Sequence, residues 1–149
     1  MKPEIKLAAV EDIIGIRHQV LRTGKPISTC YFEGDDLSNT YHFGTFLENK
    51  TIGCVTLMPK PHHSIDDKNA YQLRGMAILP DYQGQNIGEK LLYKAEEYLK
   101  SIKVKTVWCN VRLKAIRFYG KNDFQIISDE FQIPDVGPHV LMFKKLKHA

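Results

Sequence analysis

YQLRGMAILPDYQGQNIG, residues Tyr71–Gly88, reads as an apolar strand that stops at Pro80 and passes through a glycine-containing turn straight into a helix. After Gly88, Leu91, Leu92, Ala95, Tyr98, Leu99 and Ile102 recur at three- and four-residue spacing, while Glu89, Lys90, Lys94, Glu96, Glu97 and Lys100 fill the opposite face. The first-turn N–H groups of such a helix have no intrahelical partner and point at the open end of the preceding strand, a place suited to a phosphate. Gly84 and Gly88 allow the backbone to approach an oxyanion closely, although the same glycines would also serve a plain surface turn. The stretch lacks GxxxxGK[ST], which excludes a Walker-type nucleotide loop, and its glycines are not spaced as a dinucleotide fingerprint.

A second strand–helix unit lies downstream. Val104–Cys109 has strand character, Asn110, Val111 and Arg112 lead out of it, and Leu113, Ala115, Ile116, Phe118 and Tyr119 begin a short helix that ends around Gly120–Asp123. Phe124–Ile127 and Val140–Phe143 are further apolar runs. Upstream, Ile5–Leu7 predicts a short strand. EDIIGIRHQVLR predicts a helix with Ile13, Ile16, Val20 and Leu21 on one face, with Gly15 as the residue that works against an uninterrupted helix. Gly24-Lys25-Pro26 ends it, and a loop runs to Thr40. Tyr41–Leu47 and Thr51–Met58 form a predicted hairpin through Glu48-Asn49-Lys50, with a bulge expected at Gly53.

With these elements in order, the chain resembles the GNAT acetyltransferase superfamily. The acyl-CoA signature of that family, (Q/R)xxGx(G/A), is similar to Gln83-Gly84-Gln85-Asn86-Ile87-Gly88, with Asn86 where the central glycine is usual. Asparagine tolerates the left-handed conformation better than most residues. The family's helix ending in tyrosine before a glycine–phenylalanine pair is similar to Ala115–Phe124, with Tyr119 in place and Asp123 where the glycine stands. The resemblance covers nearly the whole chain. It implies an α/β (α+β) fold: a single domain over residues 1–149, with a mixed sheet of six to seven strands, about four flanking helices, and a splay between the two central strands.

The resemblance also implies an N-acetyltransferase that moves an acetyl group from acetyl-CoA, releasing CoA, to a primary amine by direct attack in a ternary complex. The strand segment Met76, Ala77 and Ile78 would carry the pantetheine arm. Gln83, Gly84, Gln85, Asn86, Ile87, Gly88 and Glu89 would form the pyrophosphate loop, Asn110 would bond the pantetheine amides, and Tyr119 would act as general acid toward the departing sulfur. On the acceptor side Glu33, His42 and His139 are candidates for accepting the amine proton, since histidine titrates in the right range and Glu33, Asp35 and Asp36 crowd a polar turn. Each histidine could instead be structural, and Tyr119 a core aromatic, although the family pattern around Tyr119 favours catalysis. A small-molecule amine is the expected acceptor; a peptide or protein amine and a non-catalytic acyl-CoA-binding module are the alternatives.

Composition agrees. A chain of 149 residues, 43% hydrophobic, is long enough to bury a core without metal or disulfide support. Cys30, Cys54 and Cys109 follow no disulfide framework, and no apolar run is long enough to span a membrane, so the cytoplasm is the expected compartment. The adjacent His62-His63 pair lacks further ligands at metal-binding spacing, and no metal is expected. The formal charge of +4 comes from scattered lysines and the terminal KKLKH without a nucleic-acid-binding signature. A polyphosphate coenzyme accounts for it as well, and no nucleic-acid partner is expected. Homodimerisation is compatible with the family, although no sequence feature marks an interface.

Overall fold

The computed structural model describes residues 2–147. These residues form two compact units, one of residues 2–59 and 73–98, the other of residues 60–72 and 99–147. Their strands belong to one eight-stranded mixed sheet flanked by helices.

In the first unit, β1 (Glu4–Ala8), β2 (Tyr41–Leu47) and β3 (Lys50–Pro59) form an antiparallel run. Glu48 and Asn49 turn the β2–β3 hairpin with φ of 49° and 67°, the mirror-image geometry that matches strand twist. The hairpin irregularity is one residue away from the expected place. Thr45 faces Gly53 and Phe46 faces Thr51, so Ile52 is the extra residue. Gly53 is small for another reason: a Cβ there would lie 3.0 Å from Ile78 Cδ1 and 3.2 Å from Thr45 Oγ1. Between β1 and β2, α1 (Val10–Ile16) starts with the Asp12 carboxylate accepting the Ala9 N–H at 3.0 Å and widens into a π turn over Arg17–Leu21. There the Arg22 N–H reaches the Arg17 carbonyl, five residues back, at 3.1 Å. Ile13, Ile16, Ile52, Cys54, Ala77, Leu79 and Ile87 make this unit's core.

β4 (Tyr71–Ile78) neighbours β3, and α2 (Ile87–Ser101) follows it. Along α2, Leu91, Leu92, Ala95 and Leu99 are buried and Lys90 and Lys94 exposed, as the periodicity predicts. Glu96 departs from it, being buried instead of on the wet face. The parallel ladder from β4 to β5 (Thr106–Arg112) consists of Tyr71↔Val107 and Gln72↔Trp108, and β4 then continues to Ile78.

The second unit is organised around β8 (Gly137–Lys145), which pairs antiparallel with β5 from Thr106↔Lys145 to Arg112↔His139. Asn110, Val111 and Arg112 therefore lie within β5 and do not lead out of it, because the long β8 offers partners to each of them. The other edge of β8 takes β6 (Gln125–Ile126) and β7 (Phe131–Ile133), short strands that bring the total above the six or seven expected. α3 (Ile116–Lys121) follows a 3-10 turn at Leu113–Ala115. Three α-helices, the first extended by its π turn, are present among the described residues. Ala70, Trp108 and Leu141 form a small core with Ile65, Ile127, Phe131 and Phe143, and the Trp108 indole N–H donates to the Lys60 carbonyl at 2.9 Å. Of the terminal KKLKH, Lys144 and Lys145 extend β8, and buried Leu146 donates its N–H to the Lys105 carbonyl at 2.8 Å. His148 lies outside the described residues. No helix of the described residues is long and apolar enough to cross a membrane.

Candidate active site

In the first unit the chain leaves β4 through a one-turn 3-10 segment, Pro80–Tyr82, and enters a loop whose conformation is set by left-handed residues: Gly84 at φ 81° and Asn86 at φ 64°. Asn86 thus adopts the geometry expected of a residue in a glycine position. The Gln83 side-chain amide donates to the Ile78 carbonyl at 3.0 Å, tying the loop to the end of β4, and the Gln85 amide reaches the Asp81 carbonyl at 3.4 Å. Gln83 to Asn86 are exposed. Ile87 is buried in the unit core and anchors the first turn of α2, Gly88 and Glu89 are half-buried, and the Lys90 N–H closes the first helical bond on the Asn86 carbonyl at 3.1 Å. On β4, Ala77 is buried while Met76 and Ile78 are half-buried.

In the second unit, Tyr119 is buried in α3 with its ring edge-on to Phe118 and Phe124, centroids 5.1 and 5.3 Å apart. Burial, and secondarily Cys109, hold its phenol well above the usual tyrosine range, so it keeps its proton at neutral pH. The helix closes with Asp123 at φ 72° and the Phe124 N–H on the Tyr119 carbonyl at 3.0 Å. Asn110 is exposed on β5 opposite Leu141. His139 is buried, stacked at 6.2 Å on Phe131, and its Nδ1–H donates to the Gly137 carbonyl at 2.8 Å. That bond leaves Nε2 as the acceptor nitrogen. His62, half-buried, accepts the Ser64 N–H on Nδ1 at 3.0 Å and stacks on His63, and burial followed by the neighbouring His63 lowers its pKa.

The first unit also holds a buried polar network. Arg17 is fully buried and meets Asp35 through two bonds, Nη1 to Oδ2 at 2.7 Å and Nη2 to Oδ1 at 3.0 Å. Two further hydrogens reach the Cys30 carbonyl at 2.8 Å and Thr56 Oγ1 at 2.7 Å, while the buried Nε–H has no partner among the described residues. Burial opposes the Asp35 charge, but the Arg17 bonds, the Phe32 N–H and the charges of Arg17 and His42 outweigh it and lower its pKa. His42 Nε2 faces the Asp35 carbonyl at 2.9 Å and Nδ1 faces Thr56 Oγ1 at 2.8 Å. In the neutral ring the proton therefore sits on Nε2, and the Thr56 hydroxyl, which accepts from Arg17, donates to Nδ1. Glu33 is exposed on the same turn whose Asp35 is buried.

Sequence reasoning passed over Arg17. Its signal was a cation four residues after Ile13, on the apolar stripe of the first helix, where a charge requires a buried partner. Cys54 and Cys109 are buried, and burial pushes the Cys54 thiol up to about 12 and that of Cys109 higher still, so neither is a thiolate at neutral pH. Cys30 is buried as well.

The acetyltransferase (GNAT) family model matches residues 11–124. The uncharacterized N-acetyltransferase YitI of Bacillus subtilis strain 168 is 34% identical to this chain over 144 residues, 97% of either protein. Among solved structures, an aminoglycoside 6'-N-acetyltransferase complexed with coenzyme A superposes with a TM-score of 0.78 at 11% identity, covering 98% of both chains. The Escherichia coli ribosomal-protein-S18-alanine N-acetyltransferase superposes with a TM-score of 0.76 at 18% identity, covering 99% of this chain and 96% of its own. At such identities these two likenesses speak to the fold alone. The family match, extending over most of a chain that carries the loop and the tyrosine helix described above, establishes that this protein belongs to the GNAT family and is an acyl-CoA-dependent acyltransferase.

Proposed function

We propose that this enzyme transfers the acetyl group of acetyl-CoA to the primary amine of a small molecule by direct attack. The observation that carries the reading is the Gln83–Asn86 loop, exposed, left-handed at Gly84 and Asn86, and opening into a 15-residue helix. A Cβ built at Gly84 would have no neighbour within 4 Å, so a phosphate oxygen has room to approach the backbone there. First-turn amides and the positive end of the helix dipole supply the attraction.

These residues fit a coenzyme pyrophosphate. Gly84 to Gly88, with Gln83 and Glu89 at the margins, would hold it. The backbone of Met76, Ala77 and Ile78 would carry the pantetheine arm, and Asn110 would bond its amides. When bound, the coenzyme supplies a thioester activated toward amines. The protein aligns the amine with the carbonyl carbon, takes up the amine proton, and returns a proton to sulfur as the C–S bond breaks and the C–N bond forms. Tyr119, kept protonated by burial, is the donor to sulfur.

Of the candidates for accepting the amine proton, His139 has the suitable arrangement. Its Nδ1–H is committed to a carbonyl, and Nε2 has no hydrogen-bond partner among the described residues. His42 has both nitrogens engaged, and Glu33 faces solvent. A small acceptor is favoured over an extended peptide because the segment after the first helix is drawn down onto Arg17 through Asp35 and the Cys30 carbonyl.

Calorimetric titration with acetyl-CoA and CoA, with ATP as control, tests the loop assignment. Saturable binding of both coenzymes but not ATP is expected. Absence of coenzyme binding at high protein concentration overturns the reading. Turnover of an amine that survives Tyr119→Phe unchanged removes Tyr119 from the mechanism.

A further inference from the structure

Arg74 is a half-buried cation that makes no ion pair among the described residues. On β4 it precedes Gly75, whose φ of 66° bends the strand. A Cβ at Gly75 would fall 2.8 Å from Phe32 Cε2, so the glycine is what lets the Phe32 ring close against the strand. Two guanidiniums share that ring: Arg74 lies 4.2 Å from its centroid and Arg17 3.9 Å.

Asp35, the carboxylate of this cluster, is used up. It accepts both Arg17 bonds, and the Phe32 N–H donates to Oδ2 at 2.7 Å. Among the described residues Arg74 makes no hydrogen bond and no ion pair. Burial first, then the charges of Arg17 and Arg22, depress its pKa against the opposing pull of Asp35. Four of the five N–H hydrogens of Arg17 are taken up by hydrogen bonds, whereas those of Arg74 are uncommitted among the described residues and its guanidinium lies over the aromatic ring. A partly desolvated cation beside a second cation is unfavourable until an anion joins it. A guanidinium stacked on a ring is pre-organised for the two parallel bonds a carboxylate accepts.

The cluster also has a suitable place in the chain. Arg74 lies two residues before Met76, on the strand to which the proposed function assigns the pantetheine arm. Phe32 belongs to the polar turn with Glu33, Asp35 and Asp36, where the family resemblance expects the acceptor side. We infer that Arg74, stacked on Phe32, binds a carboxylate carried by the amine acceptor, so that the substrates are amino acids or amines built like them. This rests on the acetyl-transfer reading above.

The test uses the full chain and a panel of linear and α-amino acids, each paired with its own carboxamide, with release of the CoA thiol as the readout. The wild type is expected to favour the carboxylate member of at least one pair by about tenfold or more in kcat/KM, the range of a charge-assisted bond. In Arg74→Gln that ratio falls toward one, and Arg74→Lys recovers part of it. Equal or better turnover of the carboxamides, a ratio that survives in Arg74→Gln, or no turnover of any carboxylate-bearing member overturns the inference. Acetyl-CoA titration of both proteins separates the failures. If the wild type binds no acetyl-CoA, the acetyl-transfer reading itself falls. If Arg74→Gln alone loses acetyl-CoA, Arg74 serves a coenzyme phosphate and the acceptor assignment is wrong.

Discussion

The Gln83–Asn86 loop and the Arg17 network hold their shapes by opposite means. The loop is made mostly of backbone: a few contiguous residues, two of them left-handed, with exposed side chains of which the Gln83 and Gln85 amides reach the Ile78 and Asp81 carbonyls. The network is made of side chains drawn from three elements and a loop, Arg17, Asp35, His42 and Thr56, all buried. The loop should therefore tolerate changes of side chain and fail when φ is denied. The network should fail when any member loses its partner, whatever the backbone does.

The largest expected effect is at Arg17. Arg17→Met keeps much of the volume but leaves the Asp35 carboxylate buried without its cation, at a cost of about 3–5 kcal/mol measured by urea unfolding. The pH dependence sharpens the point. In the wild type the Asp35 pKa is depressed below its ordinary 3.8, so the stabilisation is complete above that value and lost as pH falls through the depressed one. In Arg17→Met burial is opposed only by the Phe32 N–H and the His42 charge, so the Asp35 pKa should rise from its wild-type position and the acid loss of stability attributable to Asp35 should shrink. An acid slope unchanged by the substitution would show that the pair is not what Asp35 contributes.

Next is Thr56→Val, which keeps the shape and removes the hydroxyl that links Arg17 Nη2 to His42 Nδ1. Two buried polar groups lose a partner, for an expected cost of about 2–3 kcal/mol. A cost under about 0.5 kcal/mol would mean that the network relaxes around the gap, against its description as a unit.

Gly84→Ala is the matching test of the loop. The new Cβ meets nothing within 4 Å, so any cost comes from φ of 81° and not from crowding. A left-handed alanine costs roughly 1–2 kcal/mol. If the loop shifts to relieve it, acetyl-CoA affinity should fall by about tenfold in calorimetry while unfolding changes little. Gln85→Ala, on the same loop with an exposed side chain, should leave affinity within about threefold. Equal losses in the two variants would mean that the loop works through its side chains, and the contrast with the Arg17 network would collapse.

The same contrast explains what could be read from the chain in advance. The loop, the helix after it and the Tyr119 helix depend on neighbours in sequence, and their spacing carried them. The partners of Arg17 lie 13, 18 and 39 residues away, and no local pattern pairs a helix cation with Asp35 rather than with Glu33 or Asp36 beside it. His42 was visible as a histidine in a strand, but its bonds to Thr56 and to the Asp35 carbonyl exist only once that turn has folded back. β7 was missed because three residues are too short for a period-2 pattern, and its formation depends on the neighbouring edge of β8.

The smallest expected effect is at Asp123, a left-handed residue that no side-chain network rescues. At φ 72° it occupies the position where the family resemblance expects glycine. Replacing it with glycine removes the conformational cost in the folded chain but enlarges the freedom of the unfolded one, and the two partly cancel. Asp123→Gly should therefore stabilise by only about 0.5 kcal/mol, a rise in Tm of roughly 1–2 °C by scanning calorimetry. Asp123→Ala, which keeps the cost and loses the aspartate's ease in that region, should destabilise by about 1 kcal/mol. The sign difference between the two carries the argument, since both remove the same carboxylate. If both variants moved Tm in the same direction, the carboxylate would be what matters at this helix end, and Asp123 would belong with the side-chain-built Arg17 network rather than with the backbone-built loop.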